Sequence, residues 1–249
     1  MTVSASLIAD VAAVTYTTSK YADVWPIHFG QLSKHLNGIK SYVFSDKGSG
    51  QKFDFKEHQL IEHDDAASYH EQYVSGLAHV TQKHVIYLQD DFFLHSDVKH
   101  DEIEGCARFL EENPHDFVRL LRCGYETPLD RHVKNGFFEV HEDTSDIFSM
   151  QATMWKKSSM VRLYEHVKSE KWLEGRHWED GCRDIGIKGV FVWRGERQIG
   201  KFHYDSVVWP AVSTGINRGQ WNMDEMPEIM SALVKEYGID TSVRGVRKR

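Results

Sequence analysis

The chain has 249 residues, of which 41% are hydrophobic and 27% are charged, a composition typical of a soluble globular domain. Its formal net charge of −7 argues against a general nucleic-acid-binding protein, because such proteins usually carry a basic face. Three widely spaced cysteines without a CxxC pair argue against a disulfide framework or a zinc knuckle, and favour reduced thiols in the cytoplasm. We expect no signal peptide and no transmembrane segment, since no stretch approaches about 18 apolar residues.

The first half of the chain alternates short apolar strands with amphipathic helices. Apolar stripes predict helices that begin near Pro26 and near Ser68, and a third around residues 103–110. Strands are predicted at 10–17, 41–44, 59–61, 85–88 and 117–121. Successive β-α-β units of this kind give parallel strands. The fold class is therefore α/β, with a mostly parallel, twisted sheet flanked by helices.

The second half has a less regular pattern. Strands are predicted at 137–141, 147–153, 190–193 and 198–205, and helices over 160–167 and 226–237. No linker or internal repeat divides the chain, so we expect one domain over residues 1–249 with an irregular C-terminal third. The one basic cluster is Arg244, Arg247, Lys248 and Arg249. We interpret it as a solvated end, with a weak contact to an anionic membrane surface as the alternative.

Two adjacent acids, Asp90 and Asp91, follow the buried strand predicted at 85–88. Burying two like charges without a partner would cost roughly several kcal/mol, which a divalent cation offsets. Mg²⁺ and Mn²⁺ prefer oxygen ligands and usually bind one or two carboxylates together with substrate phosphates. Ligands of open α/β sheets bind at the carboxyl ends of the strands. The pattern therefore indicates a metal–phosphate site, and a pair of acids that caps a loop or helix is an equal alternative.

Two further groups of residues end strands at the same predicted edge. Asp46 follows the second strand and is a candidate to accept hydrogen bonds from a base or ribose, with a turn before Gly48 as the alternative. Thr15, Tyr16 and Thr17 end the first strand and are candidates to line a nucleotide pocket.

Later motifs carry aromatic, amide and acidic side chains that suit a carbohydrate. Gln151 and Trp155 are candidates to face a sugar, although such a tryptophan more often lies in the core. Trp178 precedes Glu179 and Asp180, and the glycine that follows predicts a tight turn presenting a carboxylate. The alternative is an exposed acidic turn that opens a helix, which the helix dipole favours.

Together these motifs resemble small viral and bacterial glycosyltransferases of the GT-A fold, the class with a DxD-type metal motif. The resemblance covers about residues 10–221. It rests on the order of Asp46, Asp90-Asp91, Gln151-Ala152-x-x-Trp155-Lys156-Lys157, Trp178-Glu179-Asp180-Gly181 and Asn217-Arg218-Gly219-Gln220-Trp221. One departure is that Gln89-Asp90-Asp91 stands where the family has Asp-x-Asp, which leaves open which carboxylate contacts the metal.

The resemblance implies a nucleotide-sugar donor, a carbohydrate acceptor and a Mn²⁺ or Mg²⁺ ion at Asp91, with Asp90 beside it on the donor side. It also implies an acidic base near Glu179 and Asp180, and His203 as a late metal ligand, where a structural histidine is the alternative. A nucleotide-binding half is expected at about 8–125, an acceptor-side half at about 126–223, and a C-terminal helix with the basic tail at 224–249. Polysaccharide biosynthesis is the expected setting.

A general base completes the predicted mechanism. If transfer inverts the anomeric centre, the base must lie on the acceptor side, because the metal occupies the leaving-group side. Glu179 and Asp180 are the best remaining candidates, because they lie in a later segment beside Trp178, and we favour Asp180 because Gly181 lets the backbone approach closely. The predicted function is a metal-dependent, inverting glycosyltransferase.

Two other functions remain open from the sequence. One is a sugar-nucleotide nucleotidyltransferase, although residues 17–20 lack the glycines of a triphosphate-binding loop. The other is a non-catalytic carbohydrate-binding protein, which would keep the aromatic residues without needing both acid pairs.

Overall fold

The computed structural model describes residues 6–122, 128–144, 147–170, 177–199 and 203–247. Its strands are β1 (Val11–Tyr16), β2 (Lys40–Ser45), β3 (Gln59–Glu62), β4 (His84–Gln89), β5 (Phe93–Leu94), β6 (Phe117–Arg119), β7 (His132–Lys134), β8 (Phe137–Glu139), β9 (Thr153–Lys156), β10 (Gly189–Val192), β11 (Ala211–Val212), β12 (Ile216–Asn217) and β13 (Gln220–Trp221). Its helices are α1 (Trp25–His35), α2 (Tyr69–Ala78), α3 (His100–Glu112), α4 (Lys157–Val167), α5 (His177–Asp184) and α6 (Pro227–Glu236).

Within the described residues, nine strands form the central sheet, in the order β3-β2-β1-β4-β9-β6-β10-β8-β7. Strands β1 to β4 pair in parallel, as do β6 and β10. Strand β9 runs antiparallel to both of its neighbours, and so does β8. Within the central sheet, every strand except β8 and β9 therefore points in the same direction. The predicted mostly parallel α/β sheet is confirmed.

Helices cover both faces of this sheet. Successive strand side chains point to opposite faces, so Ala13 packs in the cluster that includes α1 and α3, and Val14 in the cluster that includes α2, α4 and α5. Because both faces are buried, β1, β2 and β4 are continuous apolar runs rather than alternating ones. A third apolar cluster joins α6 to the β12–β13 hairpin.

Boundaries differ from the sequence prediction mainly in the second half. The strand expected at 147–153 starts only at Thr153, and residues 147–152 form bends that lead into β9. Strand β9 pairs with β4 on one side and β6 on the other. Its residues Thr153, Met154 and Trp155 are buried. The strand expected at 198–205 lies partly outside the described residues, and Gln198 and Tyr204 form an isolated bridge.

The basic tail is more ordered than the sequence suggested. Arg244 forms a two-point ion pair with Asp23, at 2.9 Å between Nε and Oδ2 and 2.5 Å between Nη2 and Oδ1. Val246 pairs with Trp221 as an isolated bridge. The interpretation of the whole tail as a solvated end is therefore wrong for residues up to 247, while Lys248 and Arg249 lie outside the described residues.

Two of the three cysteines, Cys106 and Cys182, are buried free thiols, and Cys123 lies outside the described residues. None of the helices that the structure describes is long and apolar enough to cross a membrane.

Candidate active site

A cavity of about 400 Å³ opens at the carboxyl ends of β1 and β4. The strand order reverses between these neighbours, since β2 and β3 lie on one side of β1 and the later strands lie beyond β4. Such a switch point is where open α/β sheets bind ligands, and the volume suits a small molecule. The lining comes from residues 16–18, Tyr21, residues 89–91, Ile216 and residues 218–219.

Asp90 and Asp91 are buried at this cavity, each with an exposed fraction of 8%. The Thr17 hydroxyl donates a hydrogen bond to Asp90, and the Trp25 indole donates to the Thr17 oxygen at 2.8 Å. The Ile216 amide donates to Oδ2 of Asp91 at 3.3 Å. Oδ1 of Asp91 has no hydrogen-bond partner among the described residues. The acid pair is therefore anchored on one side, and one buried carboxylate oxygen is left without a protein partner among the described residues.

Burial dominates the electrostatics of the pair. It raises the pKa of Asp90 to about 7, against the opposing effect of the Thr17 hydrogen bond. It raises the pKa of Asp91 to about 8, and the neighbouring Asp90 carboxylate adds to the rise. Two desolvated carboxylates with a free oxygen match the ligands that Mg²⁺ or Mn²⁺ takes up together with phosphate oxygens. The residues present therefore fit a divalent cation at Asp91, with Asp90 beside it.

The predicted late metal ligand, His203, is not grouped with this pair. His203 is buried, and its Nδ1 lies 2.9 Å from Oε1 of the buried Glu225. Its Nε2 lies 3.5 Å from the hydroxyl of Thr214. The next residue, Gly215, donates its amide hydrogen bond to the Asp91 carbonyl. In the described ranges, no three His, Cys, Asp or Glu side chains are arranged to hold a metal. The contacts of His203 favour the structural alternative.

The three residues at the end of β1 divide between cavity and core. Tyr16 and Thr17 line the cavity, and the Tyr16 ring stacks on His63 with centroids 5.6 Å apart. Burial raises the pKa of the Tyr16 hydroxyl to about 12, so it stays protonated. Thr15 is fully buried, with its hydroxyl 2.9 Å from Nε2 of His28. The structure therefore places Thr15 inside the sheet rather than on the pocket wall.

Asp46 lies beyond the cavity lining and fixes a turn. Its carboxylate accepts the Ser19 amide and hydroxyl, both at 2.5 Å, and the Ser45 hydroxyl at 3.1 Å. Burial opposes ionisation, but these hydrogen bonds outweigh it and hold the pKa of Asp46 below its usual value. The contacts tie the segment after β1 to the end of β2, as the turn alternative expects. A contact with a base or ribose stays a prediction.

The second acid pair, Glu179 and Asp180, lies in the first turn of α5, so the predicted tight turn is a helix start. Four residues join α5 to β10, so the helix runs against that strand and begins toward the edge where β1 and β4 end. The Asp180 side chain is 62% exposed and pairs with Arg183 at 2.8 Å. Glu179 is half-buried, and its Oε2 has no hydrogen-bond partner among the described residues.

Both tryptophans expected on the acceptor side lie in the core. Trp155 and Trp178 are each 2% exposed. Trp155 packs on Phe117 at 4.7 Å between ring centroids, and Trp178 stacks on Phe148 at 5.0 Å. Neither indole presents a face to a sugar, so the expectation of acceptor contact is corrected to a packing role. Gln151 is half-buried, and its Oε1 has no hydrogen-bond partner within the described ranges, so it stays a candidate.

Aromatic rings connect the two acid pairs. Trp178 contacts Tyr69 at 6.1 Å between centroids, and Tyr69 meets the cavity-lining Tyr16 edge-on at 5.0 Å. The start of α5 is thus two ring contacts from the cavity.

Sequence reasoning missed Tyr21 and Arg218 as lining residues. It also missed the Asp23–Arg244 pair beside the cavity, where Arg244 packs over Tyr21 at 4.7 Å and donates to the Gly219 carbonyl at 3.3 Å. The one local signal is Gly219 between two short apolar segments, since glycine suits the positive φ that a two-residue hairpin turn requires. Contacts between positions more than 200 residues apart leave no local pattern.

No protein-family model matches the chain, and no curated protein sequence matches it. Among solved structures, residues 1–349 of TarS from S. aureus are 9% identical, with 94% of this chain and 68% of that chain covered and a TM-score of 0.48. The mannosyltransferase PcManGT from Pyrobaculum calidifontis, in complex with GDP-Man and Mn²⁺, is 12% identical, with coverage of 77% and 58% and a TM-score of 0.45. The 4-diphosphocytidyl-2C-methyl-D-erythritol synthase from Anaerococcus prevotii is 10% identical, with coverage of 76% and 91% and a TM-score of 0.45. Likenesses this distant do not assign a reaction.

Proposed function

We propose that the chain is a metal-dependent glycosyltransferase that moves a sugar from a nucleotide-sugar donor to a carbohydrate acceptor with inversion. The observation that carries the proposal is the buried pair Asp90 and Asp91, which lines a cavity at the sheet switch point, with Oδ1 of Asp91 left without a hydrogen-bond partner among the described residues. Two adjacent buried acids are costly to ionise, and a divalent cation with a phosphate ligand resolves that cost.

Asp91 would hold the cation through its free oxygen, with Asp90 beside it. The cation supplies charge neutralisation of the diphosphate as the leaving group departs. The chain's own contribution is orientation: Thr17 fixes Asp90, and the Ile216 amide fixes Asp91. These supports come from the residue that follows β1 and from β12, so two different elements orient the carboxylates before a ligand binds.

The loop after β1 argues for a diphosphate donor over a nucleoside triphosphate. A triphosphate cradle needs several free backbone amides, usually in a glycine-rich loop. Here residues 17–24 contain no glycine. The amides of residues 17, 19, 21, 22 and 24 already donate to protein oxygens. This loop therefore disfavours the nucleotidyltransferase alternative.

Asp180 is our candidate for the general base, because its exposed carboxylate is accessible to an acceptor hydroxyl. Glu179 is the alternative, since its buried Oε2 lacks a partner in the described structure. The attacking hydroxyl would pass its proton to one of these carboxylates as the bond to the anomeric carbon forms and the nucleoside diphosphate leaves.

The test is release of nucleoside diphosphate from a panel of nucleotide sugars in Mn²⁺, with and without carbohydrate acceptors. We expect Asp91→Asn to abolish release and to weaken nucleoside diphosphate binding only when metal is present. Asp10→Asn is the matched control: Asp10 precedes β1 at the opposite edge of the sheet, roughly 20 Å away. Its loss removes only a solvent-screened surface pair with Lys83.

Full activity in Asp91→Asn would contradict the metal role. Formation of a nucleotide sugar from a nucleoside triphosphate and a sugar phosphate would instead identify a nucleotidyltransferase. Absence of nucleotide binding across the panel would contradict both enzymes.

A further inference from the structure

We infer that Arg218 binds the diphosphate group of the donor and is the cationic partner that completes the cavity. The inference rests on the proposed function, which requires a nucleoside diphosphate in the cavity. It assigns a role to a residue outside both acid pairs.

The charge balance of the occupied cavity requires a cationic side chain. Asp90 and Asp91 carry two negative charges when ionised, and a divalent cation balances them. A nucleoside diphosphate then adds at least two more negative charges to a largely desolvated site. Among the described residues that line the cavity, Arg218 is the one cationic side chain. A guanidinium is well suited to this task because its planar donors match phosphate oxygens.

The backbone at Arg218 gives independent support. Arg218 and Gly219 form the two-residue turn between β12 and β13, with φ values of 52° and 78°. Such a turn requires positive φ at both positions and favours Asn-Gly. An arginine there adopts the left-handed conformation against its own preference. A residue held in an unfavourable conformation at a ligand cavity points to a function for its side chain.

The hairpin that carries Arg218 is held from two sides. At its base, the Gly215 amide donates to the Asp91 carbonyl at 3.0 Å, and the Asn222 amide donates to the Gly215 carbonyl at 2.9 Å. At its tip, Arg244 donates to the Gly219 carbonyl at 3.3 Å while it is paired with Asp23. The hairpin therefore links the backbone that carries Arg218 to the acid pair, and the exposed Arg218 side chain lines the cavity from this hairpin.

The experiment compares Arg218→Asn with the parent protein. Nucleoside diphosphate affinity is measured by calorimetry in Mn²⁺, nucleoside affinity by ligand-detected NMR, and thermal stability in the absence of ligand. We expect nucleoside diphosphate binding to weaken about 10- to 100-fold, as for a lost charge-assisted hydrogen bond. Nucleoside binding should not change. Thermal stability should stay equal or rise, because asparagine tolerates the left-handed turn better than arginine.

The control variant is Arg108→Gln, which removes an exposed arginine from α3 and should leave every measurement unchanged. A parent protein that binds nucleoside diphosphate and an Arg218→Asn variant that binds it equally well would overturn the inference and leave the proposed function standing. An equal loss of nucleoside and nucleoside diphosphate binding would also overturn it, because the lost contact would not be to phosphate. A parent protein that binds no nucleoside diphosphate would overturn both.

Discussion

The two acid pairs of this chain look alike in sequence and lie in opposite environments. Asp90 and Asp91 end a buried strand, and each is 8% exposed. Glu179 and Asp180 start a helix, and the Asp180 side chain is 62% exposed beside Arg183. Burial raises the pKa values of the first pair to about 7 and about 8. The surroundings, and not the residue type, distinguish the two pairs, and on this difference we base the proposed cation site at the first pair and the proposed acceptor side at the second.

The difference follows from the elements that carry the acids. A strand inside a parallel sheet is covered on both faces, so the residues at its end are buried together with the strand. The first turn of a surface helix stays partly in water, and its free amides stabilise carboxylates without a metal. The first pair therefore needs an external charge, while in the second pair Asp180 already has a cationic partner in Arg183.

The largest effect that tests this comparison is on turnover. If Asp180 is the base, Asp180→Asn should lower turnover about 10²- to 10⁴-fold while metal-dependent nucleotide affinity stays the same. Steady-state kinetics and calorimetry measure the two quantities. Asp184→Asn is the matched control, since Asp184 ends the same helix and pairs at the surface with His166.

Loss of turnover in Glu179→Gln with retained turnover in Asp180→Asn would exchange the two roles. Retained turnover in both variants would remove the second acid pair from the mechanism. A product with retained anomeric configuration would contradict inversion itself.

An intermediate effect is expected in the pH dependence of metal binding. In the metal-free protein the pKa values of Asp90 and Asp91 lie above their ordinary value of 3.8. Their contribution to stability is therefore fully present below about pH 4 and is lost as the pH rises through about 7 to 8. A cation displaces the protons, so its affinity should rise about tenfold per pH unit for each proton released.

Calorimetry with Mn²⁺ at pH 6, 7 and 8, in two buffers of different ionisation enthalpy, measures both the affinity and the protons released. We expect Asp91→Asn to lose most of the slope. An affinity for Mn²⁺ that does not change over this range would show that the first acid pair is not the metal site.

The smallest effect concerns the ion pair beside the cavity. The Arg244 side chain is 13% exposed and pairs with Asp23, and its charge opposes the rise of the Asp90 pKa. Arg244→Gln should cost about 1 kcal/mol and lower the melting temperature by about 2–4 °C. We also expect a few-fold loss of nucleoside diphosphate affinity, because the hairpin tip loses a support. Arg244→Lys should recover part of the affinity through its charge.

Arg247→Gln is the neighbouring control, since the described contact of Arg247 is made by its backbone amide. An equal drop in melting temperature for both variants, with unchanged nucleotide affinity, would show that the Arg244–Asp23 pair stabilises the C-terminal tail and has no role in nucleotide binding.

Local patterns predicted several of the residues that line the cavity. The apolar run of β4 and the acids that follow it placed Asp90 and Asp91 at a strand end, and the structure confirms that position. The same reasoning placed Tyr16 and Thr17 at the end of β1, where they line the cavity. It failed for Thr15, because a hydroxyl that bonds a buried histidine is indistinguishable in sequence from one that faces a ligand.

By itself, the sequence determined the elements and their order: alternating apolar runs and amphipathic stripes specify strands and helices, and short β-α-β connections specify a parallel sheet. Only the tertiary structure decided which side chains meet at the cavity. Beside the cavity, Arg244 pairs with the distant Asp23 and donates to the Gly219 carbonyl in the turn that carries Arg218, and Trp155 and Trp178 are buried in the core. The physical reason is that burial and electrostatic partners depend on packing between elements, which the periodicity within one element does not record.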